Sequence, residues 1–252
     1  MTDARRLIAE SMGTFFLVLI GPGAVMVNAA SGGVIGHAGV SLAFAFVVTA
    51  MIFALGHISG AHINPAVTIA FWSVRRFPSR DVIPYITAQC VGALAASGVL
   101  RAVLGLVGQM GATVPARALG IGAGGAFVIE WLLSFTLMVV IMAVATDERV
   151  PAGFAVPAVG LTVGFCALMG GPLTGASMNP ARSLGPAIAG GIWDAHWVYW
   201  LAPITGMLIG AQCYEALRGI HAAAPELAGS DFSLETGVEG PVDVHPRAVE
   251  LR

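Results

Sequence analysis

Two near-copies of one phrase lie 115 positions apart: Ser59-Gly60-Ala61-His62-Ile63-Asn64-Pro65-Ala66-Val67-Thr68 and Thr174-Gly175-Ala176-Ser177-Met178-Asn179-Pro180-Ala181-Arg182-Ser183. Each sits between long apolar stretches. Gly, Asn and Pro favour turns, and irregular backbone at membrane depth is tolerated only where protein or a watery cavity surrounds it. A matched pair of such interruptions, one in each half of a chain, points to a solute site built where two related halves meet.

The flanking stretches have the composition of membrane spans. Of 252 residues 57% are apolar and 10% charged, whereas a soluble domain carries about 25% charged residues. The mean hydropathy is +0.84. Several windows exceed the ~18 apolar residues of a crossing helix. Six spans are expected, at about 7–28, 38–57, 82–105, 125–146, 153–170 and 197–218, the fifth being the shortest. The stretches 64–73 and 179–189 are apolar but would reach only ~15 Å as helices, half of a ~30 Å hydrocarbon core. Entering from opposite faces, they would meet end to end near the midplane.

The expected organisation is one transmembrane channel domain over 1–220, with repeat halves at about 5–110 and 120–220. Residues 221–252, rich in Ala, Gly, Pro and acidic residues, read as a disordered cytoplasmic tail. Three spans per half give the halves opposite orientations, so the repeat is inverted. With the N-terminus inside, Arg5, Arg6, Arg75, Arg76, Arg80, Arg149 and Arg218 are cytoplasmic, while Arg101 and Arg117 fall near the outer side. This bias places both termini inside. Trp197, Tyr199 and Trp200 are expected in the outer aromatic belt.

The formal charge of -2 and the absence of any basic block give no sign of nucleic acid as a partner. Cys90, Cys166 and Cys213 stand singly in apolar stretches and read as small buried hydrophobes. Arg5 and Arg6 precede an apolar run without a cleavage site, so the first span is expected to be retained.

Pro65 and Pro180 suit the first position of a helix, where no backbone donor is needed. Asn64 and Asn179 then mark the helix starts, with Ala66 and Ala181 completing each Asn-Pro-Ala box. The two positive helix ends would face each other, and each Asn amide would donate into the pore. Water held there would turn its own hydrogens away, breaking the order that proton hopping needs, and the dipoles would repel cations. Arg182 is costly at depth, ~2.5–3.5 kcal/mol on insertion scales. It is therefore expected to line the pore, donating to solute oxygens and rejecting cations.

Glu10 and Glu130 occupy matching places in the first and fourth spans. They are read as acceptors for the re-entrant loops, the alternative being proton carriers. His57 and His62 flank the first loop without a third ligand, so loop packing is expected rather than a metal site. Gln89 either lines the pore or ties helices together. Small residues at four-residue spacing (Ala88, Gly92 and Ala96; Gly160 and Gly164; Gly206 and Gly210) mark close-packed helix faces.

The two Asn-Pro-Ala boxes, Arg182, Val40-Ser-Leu-Ala-Phe44, Gly56-His-Ile-Ser-Gly-Ala-His62, Ala88-Gln-Cys-Val-Gly92 and the Glu of each half together resemble a bacterial-type aquaporin, a major intrinsic protein, over residues 5–218. The resemblance implies an all-α membrane fold of six transmembrane helices plus two re-entrant half-helices, a pore in every subunit and a homotetramer. It also implies a selectivity filter at Phe44, Ala167, Ala176 and Arg182. Water-strict members usually carry His where Ala167 stands, so a wider, less polar constriction is expected. Ala176 and the stretch from Gly175 to Pro186 are similar to nodulin-type members. Ser183, Ala187 and the pair Tyr199-Trp200 resemble water channels more than glycerol facilitators.

The function expected is a passive channel in the cell membrane for water and small uncharged solutes such as glycerol, urea, ammonia or peroxide, with protons and ions excluded. A glycerol facilitator with water secondary, or a proton-coupled transporter, are the alternatives. No cofactor, metal or enzymatic constellation is expected.

Overall fold

A computed structural model describes residues 3–222 of the chain. Of the expected tail, residues 221 and 222 belong to the last helix and the rest lies outside the described residues. The long helices are α1 (Ala4–Ala30), α2 (Gly36–Ser59), α4 (Ser79–Leu104), α5 (Ala123–Thr146), α6 (Ala155–Thr174) and α8 (Val198–Ala222). The short ones are α3 (Pro65–Ser73) and α7 (Pro180–Gly190). At 1.5 Å per residue the long helices run ~30–40 Å, enough to cross a bilayer. Five of them, α1, α2, α4, α5 and α6, are apolar enough as well as long enough to do so.

The chain folds as two interlocked halves. In the first half α1 packs on α2 and α4; in the second, α5 packs on α6 and α8. The halves meet where α2 lies along α6. Each half-helix leaves its own half: α3 packs against α8 and α7 against α4. Small residues allow these approaches. A Cβ at Gly92 would strike the Ser11 carbonyl oxygen of α1, and one at Gly206 would lie 2.5 Å from the Trp131 carbonyl oxygen of α5. Gly164 faces Ala45 across the α2–α6 seam, at 2.9 Å from an added Cβ.

Two expectations need correction. The fifth span does not end at 170. It runs to Thr174 through Pro172, and Gly175 at φ 88° ends it. A proline removes only one rung of the ladder, the bond to the carbonyl four residues back. Tyr199 does not join the aromatic belt. It is fully buried, whereas Trp197 beside it is exposed. The hydroxyl of Tyr199 has a partner inside the protein, described below, which draws the ring inward.

Charged contacts gather at one end of the bundle. Arg6 pairs with Asp81 at 3.1 Å, Arg76 with Glu215 at 2.7 Å and Arg149 with Asp147 at 2.5 Å. Arg218 donates to the Thr146 carbonyl at 2.9 Å. At the opposite end Arg117 pairs with Asp194 at 2.8 Å, and Arg101 donates to the Ala189 carbonyl.

Candidate functional site

Each half-helix begins at an Asn-Pro pair. Asn64 and Asn179 are N-caps with extended backbone, followed by proline at the first helical position. The Asn64 Oδ1 accepts from Ala66 N at 2.9 Å, and Asn179 Oδ1 accepts from Ala181 N at 3.0 Å and Arg182 N at 3.2 Å. These bonds satisfy donors that a helix start leaves open.

The two tips abut. Asn64 Nδ2 donates to the Met178 carbonyl at 2.7 Å, and Asn179 Nδ2 donates to the Ile63 carbonyl at 2.8 Å. Each amide is therefore shared between the opposite loop and the space expected to be the pore. One N–H of each amide is committed to the opposite loop, because those carbonyls are buried and need a donor. A carboxamide carries two N–H groups, so a second remains for whatever occupies the space alongside.

The loops before the tips have an unusual shape. Gly60 and Gly175 both have φ 88°, and Ala61, Ile63, Ala176 and Met178 also take positive φ, at 45°, 42°, 43° and 51°. Backbone turned this way cannot satisfy its own N–H groups, and a buried carboxylate in each half accepts them. Glu10 Oε1 accepts from His62 N at 2.9 Å and Ser59 Oγ at 2.7 Å, and its Oε2 accepts from Ile63 N at 2.7 Å. Glu130 Oε1 accepts from Ser177 N at 2.9 Å and Thr174 Oγ1 at 2.6 Å, and its Oε2 accepts from Met178 N at 2.9 Å.

Sequence reasoning missed a second matched pair. Tyr85 OH donates to the Ser59 carbonyl and Tyr199 OH to the Thr174 carbonyl, each at 2.9 Å. The signal was present: each Tyr precedes the packing glycine of its helix, Gly92 or Gly206, by seven residues.

Gln89 ties helices together. Its Nε2 donates to Glu10 Oε2 at 2.8 Å and Thr68 Oγ1 at 3.1 Å. His62 packs by its ring against Phe71, Phe77 and Tyr85, with centroids 4.8–5.4 Å apart, and its Nδ1 lies 3.1 Å from Thr68 Oγ1. His57 does not join them. It is exposed near the end of α2 and its ring makes no hydrogen bond among the described residues.

A cavity of about 120 Å³ runs past both Asn residues, lined by His62, Asn64, Asn179 and Arg182 and by apolar side chains from α2, α5 and α6. A wider one of about 460 Å³ opens above it. Phe44, Ala167 and Arg182 line both, so they stand where the wide space gives way to the narrow one. Ala176 lines the narrow one. Arg182 is 2% exposed. Its Nη1 donates to the Gly111 carbonyl at 2.9 Å, its guanidinium lies 5.1 Å from the Phe44 ring centre, and its Nε has no partner among the described residues. The structure therefore places Phe44, Ala167, Ala176, Arg182, Asn64, Asn179 and His62 around the narrow cavity, with Glu10, Glu130 and Gln89 behind the loops.

The major intrinsic protein family matches residues 1–214. Nodulin-26 of Glycine max is 45% identical over 215 residues, spanning 85% of this chain and 78% of that protein. A probable aquaporin, AqpM of Archaeoglobus fulgidus, is 43% identical over 243 residues, spanning 86% of this chain and 98% of its own length. Among solved structures, the aquaglyceroporin from Plasmodium falciparum superposes with a TM-score of 0.76 at 28% identity, covering 87% of this chain and 99% of the other.

Proposed function

The chain belongs to the major intrinsic protein family, and from that premise we propose where its solute passes and what it rejects. It is an integral, multi-pass membrane channel for water and small solutes, and not an enzyme. The proposed path descends the wide vestibule, crosses a constriction at Phe44, Ala167, Ala176 and Arg182, and continues past Asn64 and Asn179. The observation that carries this reading is the sharing of Phe44, Ala167 and Arg182 between the two cavities.

At the constriction Arg182 offers donors and a positive charge, while Phe44 supplies an apolar wall. Ala167 and Ala176 leave the other sides open, so small uncharged solutes such as glycerol, urea, ammonia or peroxide pass with water. At the midplane the second N–H of each Asn donates to a water oxygen, and the half-helix dipoles repel cations. Glu10 and Glu130 act as loop acceptors and not as proton carriers, since each carboxylate oxygen is engaged by donors from its own loop.

The chain is proposed to work as a homotetramer in the cell membrane. Both termini are cytoplasmic, the orientation supported by the arginines at one end of the bundle. The direct test is stopped-flow swelling of liposomes holding the purified protein, in osmotic gradients of sucrose and of glycerol. Flux that followed a pH gradient instead of the osmotic one would replace the pore by a coupled transporter. Permeability to water alone would remove the wide constriction.

A further inference from the structure

Pro172 has no backbone N–H, so the Leu168 carbonyl, four residues earlier in α6, has no helical donor. The structure supplies one from another helix. His37, in the first turn of α2, places Nε2 2.7 Å from that carbonyl oxygen. Gly171 makes room for the ring: a Cβ there would lie 2.7 Å from His37 Cε1. The start of α2 is itself held by Asn28, whose Oδ1 accepts from Gly36 N at 2.8 Å. His37 is therefore a seated side chain, locked across the α2–α6 seam.

The lock determines the ring's chemistry. A carbonyl oxygen only accepts, so Nε2 carries the hydrogen, and in the neutral ring Nδ1 is then an acceptor. Nδ1 makes no hydrogen bond within the described residues. His37 also lines the wide vestibule, together with Asn28, Ser41, Phe44 and Arg182. His37, Ser41 and Phe44 follow at intervals of four and three, so they share one face of α2 and descend toward the constriction. Arg182 at the foot of this ladder is a pure donor. A solute hydroxyl or amide needs an acceptor as well as a donor when it sheds water.

Resting on the reading of the chain as a channel, we infer that His37 is a further specificity-determining residue, its Nδ1 accepting from O–H or N–H groups of small polyols and amides in the outer vestibule. It restores some of the polarity that Ala167 withholds from the constriction. The ring is presented one stage further out and from α2 instead of α6. Water, with its small size and many alternative partners in the vestibule, depends on it little.

The test uses full-length protein in liposomes and reads glycerol, urea and water permeability for each variant. His37→Leu keeps the bulk and removes the acceptor. The expected result is a fall in the glycerol-to-water ratio of about tenfold, equivalent to ~1.4 kcal/mol on the crossing barrier, with water flux retained. His37→Gln keeps both a donor for Leu168 and an acceptor, and is expected to recover much of the ratio. Gly171→Ala displaces the intact ring and is expected to lower the ratio as well. An unchanged ratio in His37→Leu, with water still conducted, would overturn the inference. An equal loss of water and glycerol in the Leu and Gln variants would reduce His37 to a tether and overturn it too. Absence of water flux in the unmodified protein would instead overturn the channel reading, and this inference with it.

Discussion

Glu10 and Glu130 bond alike: each carboxylate accepts the backbone N–H of the two residues before its half's Asn, and the hydroxyl that opens the same loop. The inverted repeat thus extends beyond helices to individual hydrogen bonds. Both carboxylates are fully buried, so their donors have no water to fall back on.

Glu10→Gln and Glu130→Gln are expected to destabilise the protein. An amide turns an NH2 group toward N–H donors, leaving at least one backbone donor unsatisfied at ~1–3 kcal/mol. Thermal unfolding in detergent is the measurement, and both variants should melt earlier. If either Glu moved protons during transport, its Gln variant would instead keep its stability and lose pH-driven flux.

Ala167→His is expected to narrow the passage where the two cavities join. The glycerol-to-water permeability ratio should fall by roughly tenfold, a change of ~1.4 kcal/mol in relative barrier. Unchanged selectivity in swelling assays would remove Ala167 from the constriction.

Arg182→Ala removes a buried charge, the donor to Gly111 and the cation beside Phe44. The variant is expected to admit cations that the parent rejects, since the fixed positive charge at the narrow point is gone. Proton and sodium leak into dye-loaded liposomes reads this directly. Leak equal to the parent would assign cation rejection to the Asn tips alone.

Gly206→Ala presses a methyl group against the Trp131 carbonyl oxygen, 2.5 Å away before relaxation. Overpacking of this kind costs about 1–3 kcal/mol, and the melting temperature should drop. Gly219→Ala, where an added Cβ meets nothing among the described residues within 4 Å, is the control and should melt no earlier than the parent.

Acid should loosen the end of the bundle where Asp147 follows α5. Hydrogen bonds from Arg149 hold its carboxyl below the ordinary value of 3.8. A carboxyl lowered on folding contributes stability above its ordinary value, and that contribution disappears as pH falls through the lowered one. Melting curves from pH 6 down to about 2 should show a decline that Asp147→Asn flattens. A parent curve no steeper than the variant's would dismiss the contact as a contributor.

The spans, the half-helices and the paired Glu residues were legible because each leaves a local mark: an apolar run, an Asn-Pro start, a charge where none is cheap. The course of α6 past Pro172 was not, since whether a proline ends a helix depends on who satisfies the freed carbonyl. Here that is His37, 131 positions away. The inward turn of Tyr199 was hidden for the same reason, its acceptor being the carbonyl of Thr174, the last residue of α6. Gln89 was ambiguous because its role depends on Glu10 and Thr68, the two acceptors of its Nε2, which lie on other helices. The bonds of Asn64 and Asn179 to opposite loops were invisible because each requires the other half to be in place.

That last arrangement has a consequence for how such a molecule could arise. Each half brings both members of the clasp: an Asn that donates, and a carbonyl one residue earlier that accepts. A chain of half this length, inserted in both orientations and pairing with itself, would already possess every group the clasp requires. The clasp is the seam of a fused antiparallel pair, and its two-fold bonding is what such a duplication would leave behind.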